Sequence, residues 1–249
     1  ILSKKKNIFS QNGEDGIIEY IFDKLNISEN GTFIEFGAWD GKYLSNTYNL
    51  FLNKNWNGIY IESDKTKFDD LVYNFNSYKN RIECINEIVG FEKDNNLDVL
   101  IEKYSTKTKF DFISIDVDGL DYFILEYMNK YLPSVICIEI NAGHDPEYQY
   151  IIPANIAENN IGQSIKIIND LGLQKGYFPL CYTGNLFLVK NEFKHLFTDD
   201  LKSIRNIYID FLNYLEKDGI EHLKKTFIVN NIYNNFLFLN PTLNEFCKL

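Results

Sequence analysis

The chain has 249 residues, enough to bury a full core as one α/β domain with an appendage. Its net charge of −10, with no stripe of Lys or Arg interleaved with aromatics, opposes nonspecific attraction to nucleic acid. No apolar run is long enough to span a bilayer and the start shows no signal-peptide pattern. Four cysteines, at 84, 137, 181 and 247, form no C-x-x-C pair. The first three fall in apolar strand-like segments and read as reduced, buried thiols, so a cytoplasmic protein is expected.

In chain order, Lys4, Lys5 and Lys6 read as a solvated end. The polar run from Ser10 to Gly16 enters a helix over Gln11–Leu25, with Ile17, Ile18, Ile21 and Phe22 on one face. Thr32–Phe36 is the first strand, and Thr47–Asn53 lies in its helix. Ile59–Ile61, Arg81–Val89, Phe110–Val117 and Val135–Ile140 are the next four strands. Helices over Lys65–Tyr78, Leu97–Tyr104 and Tyr122–Asn129 separate them, and this alternation argues for parallel βαβ units. After a helix over Gly162–Leu171, the strands Tyr177–Cys181 and Leu186–Val189 flank Thr183-Gly-Asn185 as a hairpin. Beyond Asn191 the pattern turns helical, with Ile204, Ile207, Ile209, Phe211, Leu212 and Leu215, then Leu223 to Ile228. This tail reads as a helical appendage, 191–249, or as the surface of a homo-oligomer.

Two segments point to a nucleoside-containing cofactor. Thr32-Phe-Ile-Glu-Phe-Gly-Ala-Trp-Asp-Gly-Lys42 is a buried strand running into a glycine turn, and Gly58-Ile-Tyr-Ile-Glu62 is a short strand ending in an acid. In doubly wound sheets cofactors sit at the carboxyl ends of strands, and a glycine there admits close backbone approach. An acid ending the second strand can accept hydrogen bonds from both ribose hydroxyls. The loop is not the G-x-G-x-x-G of a dinucleotide site, and no Gly-Lys-Ser or Gly-Lys-Thr P-loop occurs. Its Asp40 would repel a pyrophosphate but suits an ammonium group, such as the amino-acid end of S-adenosylmethionine, and Glu35 points the same way. The expected cofactor contacts are Glu35, Gly37, Ala38 and Asp40, then Asn46 at the following helix, and Glu62 with Ser63.

As a set, four stretches resemble the FkbM-like group of S-adenosylmethionine-dependent methyltransferases. They are Phe9-Ser-Gln-Asn-Gly-Glu-Asp-Gly16, Phe33–Thr47, Ile113-Ser-Ile-Asp-Val-Asp-Gly-Leu-Asp-Tyr122 and Ile138-Glu-Ile-Asn141. Asn160–Ser164 and Gly172–Tyr177 look similar to the late helix and strand of the same proteins. The likeness covers residues 8–190. It implies a class I methyltransferase fold, Rossmann-like and α/β, with a mostly parallel seven-stranded sheet and a terminal hairpin. It also implies methyl transfer, usually to oxygen, on sugars or other precursors of surface polysaccharides and glycolipids. By position, Gly37, Asp40 and Glu62 match cofactor-contacting sites, and Asp116 follows the fourth strand where cofactor and acceptor meet. The fourth-strand motif departs from the family's usual Asp-Val-Glu-Gly, which bears on the acceptor more than on the cofactor.

Asp116, Asp118 and Asp121 crowd the end of the fourth strand, and Glu139 ends the fifth. Adjacent strands lie about 4.8 Å apart, so Asp116 or Asp118 and Glu139 are expected to share a crevice. His144, in the next loop, is the candidate general base because its unperturbed pKa lies near neutrality. A carboxylate of the cluster, Asp116 or Glu139, is the alternative. Asp116, Asp118 and Glu139 also make an oxygen-rich set suited to Mg²⁺ or Mn²⁺. The alternative is that these acids cap helices and loops, as Asp does readily at helix starts. Tyr148 and Tyr150 are candidates to line the pocket of a small carbohydrate-type acceptor. Two other readings remain open: a catalytically silent binding or scaffold protein, and a nucleotide-sugar or NAD-dependent oxidoreductase.

Overall fold

From Phe33 to Phe36 the first strand is buried on both faces and apolar apart from Glu35, a pattern that suits a strand covered by helices on each side. In the computed structural model Thr32–Phe36 form β1, an interior strand third in the order of a seven-stranded sheet. The structure describes residues 1–117, 119–141, 145–151, 153–154 and 162–218, with side chains to 214. Strands β2 (Asn57–Ile61), β3 (Ile82–Ile85), β4 (Phe112–Ile115) and β5 (Val135–Glu139) run parallel to β1. The hairpin of β6 (Tyr177–Tyr182) and β7 (Asn185–Lys190) then closes the sheet, with β7 antiparallel to β5. The order is β3-β2-β1-β4-β5-β7-β6, the class I methyltransferase, Rossmann-like α/β arrangement.

Helices α1 (Glu14–Lys24), α2 (Tyr48–Asn53), α3 (Lys65–Phe75), α4 (Leu97–Tyr104), α5 (Asp121–Tyr127), α6 (Ile165–Gln174) and α7 (Ile204–Asp218) cover the two faces. One apolar layer gathers Ile34, Ile59, Ile113, Ile136 and Leu188 with Leu100, Ile124 and Ile168. The opposite layer packs Ile18, Phe22, Trp56 and Phe75 on Phe33, Tyr60 and Phe112. Cys137 and Cys181 are buried free thiols and Cys84 is a half-buried one.

Several boundaries differ from the sequence expectation for local reasons. Helix α1 begins at Glu14 rather than Gln11, because Gly13 takes a left-handed φ of +89° and the preceding residues wrap around Asp15. That carboxylate's Oδ2 accepts from the backbone nitrogens of Ile8, Phe9 and Ser10, each at 2.8 Å. β3 stops at Ile85 instead of Val89, and the Asn86 amide donates to the carbonyl of Glu62 at 2.7 Å. Helix α6 spans Ile165–Gln174 rather than 162–171, since Ser164 first bridges to Asn141. Of the tail, Asn191–Phe197 is a 3₁₀ helix, and α7 lies against β6 with the Phe211 ring 4.4 Å from that of Tyr182. The helix expected at 223–228 lies outside the described residues.

Among the described residues no helix is long and apolar enough to cross a membrane.

Candidate functional site

The carboxyl ends of the parallel strands open into a cavity of about 530 Å³, within the range of small-molecule sites. Gly37, at the exit of β1, has φ +69°, and a Cβ there would stand 2.3 Å from the carbonyl oxygen of Asp116. Only glycine meets both demands, a left-handed turn and a near contact with the next strand. Ala38 follows, its nitrogen donating to the carbonyl of Ile61 at 3.3 Å, so the loop is tied back to β2.

Glu62 closes the same loop from the other side. Its Oε2 accepts from the Trp39 nitrogen and its Oε1 from the Asp64 nitrogen, both at 2.8 Å. The residue is buried, yet it lines the cavity beside Ser63. Each carboxylate oxygen can accept a second hydrogen bond. The Glu62 carboxylate is thus held in place with acceptor capacity left over.

Glu35 is also buried and lines the cavity. It accepts from Ser45 Oγ at 2.6 Å, Thr47 Oγ1 at 2.5 Å and the Asn46 nitrogen at 3.0 Å, which pins the entry of α2 onto β1. Burial raises its pKa, against the lowering effect of the Ser45, Thr47 and Asn46 hydrogen bonds. The Asn46 amide reaches across to Ser114 Oγ at 3.0 Å, so one residue, through its backbone nitrogen and its side chain, links β1 and β4 just before α2 at the floor of the cavity.

Of the expected site residues, Glu35, Gly37, Ala38, Asn46, Glu62, Ser63 and Asp116 are brought to one cavity. Asp40 is not. Its carboxylate turns into its own loop and accepts from the nitrogens of Lys42 at 2.9 Å and Tyr43 at 2.8 Å, the side-chain turn that Asp readily makes. Glu139 does not line the cavity either. The β4–β5 register sets Ile115 opposite Ile138, so Asp116 and Glu139 do follow in the same row, but Glu139 is half-buried and paired with Asn185 of β7. Asp121 serves as a loop clamp, its oxygens accepting from the nitrogens of Val117 and Gly119. Tyr148 and Tyr150 stack on one another with ring centroids 6.1 Å apart and are not among the cavity residues. Asp118 and His144 lie outside the described residues. Among the described residues no group of three or more His, Cys, Asp or Glu side chains is placed to hold a metal ion.

Other residues reach the cavity without having been singled out. Trp39 and Tyr43 form an exposed rim, edge to face at 5.4 Å, with the Lys67 ammonium 4.1 Å from the Trp39 ring centre. Glu87, Ile88 and Val89 line it beyond β3. Gln11, Glu14 and Asn185 form the opposite wall. The Ser10–Gly16 run was visible in the sequence as a polar helix entry, but nothing local says that it folds back over the sheet.

One Tyr-x-x-x-Lys pair, the spacing used by some nicotinamide-dependent oxidoreductases, occurs at Tyr20 and Lys24. The Tyr20 hydroxyl donates to Asp200 at 2.6 Å and neither residue lines the cavity.

The chain matches no protein-family model and no curated protein. Among solved structures, M. capricolum TrmK, in complex with S-adenosyl-homocysteine, is 14% identical, with 89% of this chain and 96% of that one covered and a TM-score of 0.46. A SAM dependent methyltransferase from Aquifex aeolicus is 12% identical over 69% of this chain and 86% of its own, at a TM-score of 0.39. A candidate sarcosine dimethylglycine methyltransferase from Galdieria sulphuraria is 11% identical over 67% of this chain, at a TM-score of 0.45, and this chain spans 60% of its length. At these scores the likenesses say nothing about activity.

Proposed function

We propose that this protein is an S-adenosylmethionine-dependent methyltransferase that methylates a hydroxyl of a carbohydrate-type acceptor. The observation that carries the reading is the pairing, across one loop, of the Gly37 turn with a Glu62 carboxylate whose oxygens each retain acceptor capacity. The Gly37 turn lets the ends of β1 and β4 close on one another at the cavity, and an anchored acid one strand away suits the two hydroxyls of a ribose. The cavity residues Glu14, Glu35, Glu62, Glu87 and Asp116 are acids, which disfavours the pyrophosphate of a dinucleotide and favours a cationic cofactor. The acceptor class rests on the resemblance of residues 8–190 to the FkbM-like group.

S-adenosylmethionine, when bound, supplies a methyl group on a positively charged sulfur, open to attack by an acceptor oxygen. The chain's own part is to bind, to orient and to take a proton. Glu62 and the Gly37–Trp39 backbone hold the nucleoside end. Asp116, exposed at the end of β4 and lining the cavity, is the carboxylate we assign to orient an acceptor hydroxyl and to receive its proton.

Differential scanning fluorimetry tests the cofactor assignment. S-adenosylhomocysteine should raise the melting temperature in proportion to the logarithm of its concentration, and NAD should leave it unchanged. Stabilisation by NAD with none by S-adenosylhomocysteine would overturn the reading in favour of an oxidoreductase. Tight S-adenosylhomocysteine binding without methyl transfer to any glycan precursor would favour a silent binding protein.

A further inference from the structure

The cavity extends well past the ground that Glu62 and Gly37 occupy. On one side it runs over β2 and β3 to Glu87 and Val89; on the other it crosses β4 to Asn185, at the start of β7, and to the N-terminal segment. If Glu62 takes the ribose on the β2 side, the reacting end faces β4 and whatever stands beyond it. What stands there is built from two stretches far apart in sequence. Glu14 is fully buried, and its Oε1 accepts from Thr183 Oγ1 at 2.9 Å and from the Asn185 amide at 3.4 Å. Its Oε2 accepts from the Asn12 nitrogen at 2.7 Å. One carboxylate thereby locks the loop before α1 to the β6–β7 turn, and it fixes which way the Asn185 amide faces. Gln11 stands exposed on the same wall, and the Asn46 amide lies at the floor.

We propose that this wall is the acceptor-binding surface, with Gln11 and Asn185 reading the hydroxyls of an uncharged, polyhydroxylated acceptor and Glu14 positioning Asn185. The proposal rests on the methyltransferase reading and adds to it the location and charge class of the acceptor. Side-chain amides offer both donor and acceptor groups, as recognition of a hydroxyl requires. Among the described residues that line the cavity, Lys67 alone is basic, and its ammonium lies over the Trp39 ring on the cofactor side. A phosphorylated or carboxylated acceptor would meet Glu14, Glu35 and Asp116 with no counter-charge among the described residues of this wall, a juxtaposition of like charges that discriminates strongly against a ligand.

The test combines a substrate panel with three single variants and the double variant Glu14→Gln/Asn185→Ala. Methyl transfer from tritiated S-adenosylmethionine is measured on neutral methyl hexosides and 6-deoxyhexosides, beside the corresponding sugar phosphates and uronic acids. Transfer should occur to neutral members and not to anionic ones. Gln11→Ala and Asn185→Ala should each raise the acceptor KM by about tenfold, the effect of one lost hydrogen bond, while calorimetry shows S-adenosylhomocysteine affinity within about twofold of wild type. Glu14→Gln should raise KM as Asn185→Ala does, and the double variant should be no worse than either alone, since the two residues act through one contact. Equal or better transfer to anionic sugars, or transfer to no member of the panel, overturns the acceptor class. Loss of S-adenosylhomocysteine affinity in step with KM overturns the location. Failure of the wild-type protein to bind S-adenosylhomocysteine instead removes the methyltransferase reading, and this proposal with it.

Discussion

The carbonyl oxygen of Asp116, at the end of β4, stands 2.3 Å from where a Cβ of Gly37, at the end of β1, would be. The contact ties the glycine turn to the residue proposed to face the acceptor. Gly37→Ala is therefore expected to strain two strand ends at once, the left-handed φ alone costing about 1–3 kcal/mol. Urea unfolding should show a lowered midpoint, and S-adenosylhomocysteine affinity should fall more than stability alone explains. Unchanged affinity would place the ligand away from this turn.

Glu62→Ala removes the proposed ribose acceptor and the anchor of the Trp39 nitrogen. Binding of S-adenosylhomocysteine should weaken by about 1–3 kcal/mol, the cost of losing a charged hydrogen-bond acceptor. Calorimetry on the folded variant decides it, and wild-type affinity would exclude Glu62 as a ribose ligand.

The two tryptophans separate cleanly: Trp39 is 46% exposed at the cavity rim and Trp56 is fully buried in the core. A ligand in the cavity should change only the Trp39 emission. Titration with S-adenosylhomocysteine should quench or shift that signal, and Trp39→Phe should abolish the change while calorimetry still detects binding. A signal that survives in the variant would have to come from Trp56, and with it a wider rearrangement.

Glu35 gives a pH dependence. Burial raises its folded-state pKa above the ordinary carboxylate value, so the folded state holds that proton more tightly than the unfolded one. Its contribution to stability is fully present below the ordinary carboxylate pKa and is lost as pH rises through the raised one. Wild type should therefore gain on Glu35→Gln as pH falls from neutrality toward the carboxylate range, measured as the difference in urea midpoints. A difference independent of pH would show that Glu35 ionises as it does in the unfolded chain.

Asp15→Ala should be costly although it touches no ligand. Its Oδ2 gathers three backbone nitrogens and the Ser10 hydroxyl, all at 2.8 Å. Leaving these donors without a partner should cost about 3 kcal/mol or more. Hydrogen exchange should lose protection at Ile8, Phe9 and Ser10 first; protection retained there would mean that another acceptor holds the segment.

The sequence by itself determined the alternating strands and helices, the closing hairpin and the glycine turn facing an acid one strand later. These are local properties, set by hydrophobic period, by breaker residues and by the intervals between Thr32–Phe36, Gly37 and Glu62. Only the tertiary structure decided which acids share a cavity. Asp40 carries the charge that the loop pattern singled out, yet the backbone nitrogens of Lys42 and Tyr43 in its own loop capture it, whereas Glu35 is turned toward the cavity floor by Ser45, Asn46 and Thr47. Glu14 and Asn185, separated by 171 positions, meet because β7 inserts beside β5 and carries the hairpin turn over to the start of α1. Strand order across a sheet is set by the packing of both its faces, so residues distant along the chain become opposite walls of one site without any local signal that marks them as neighbours.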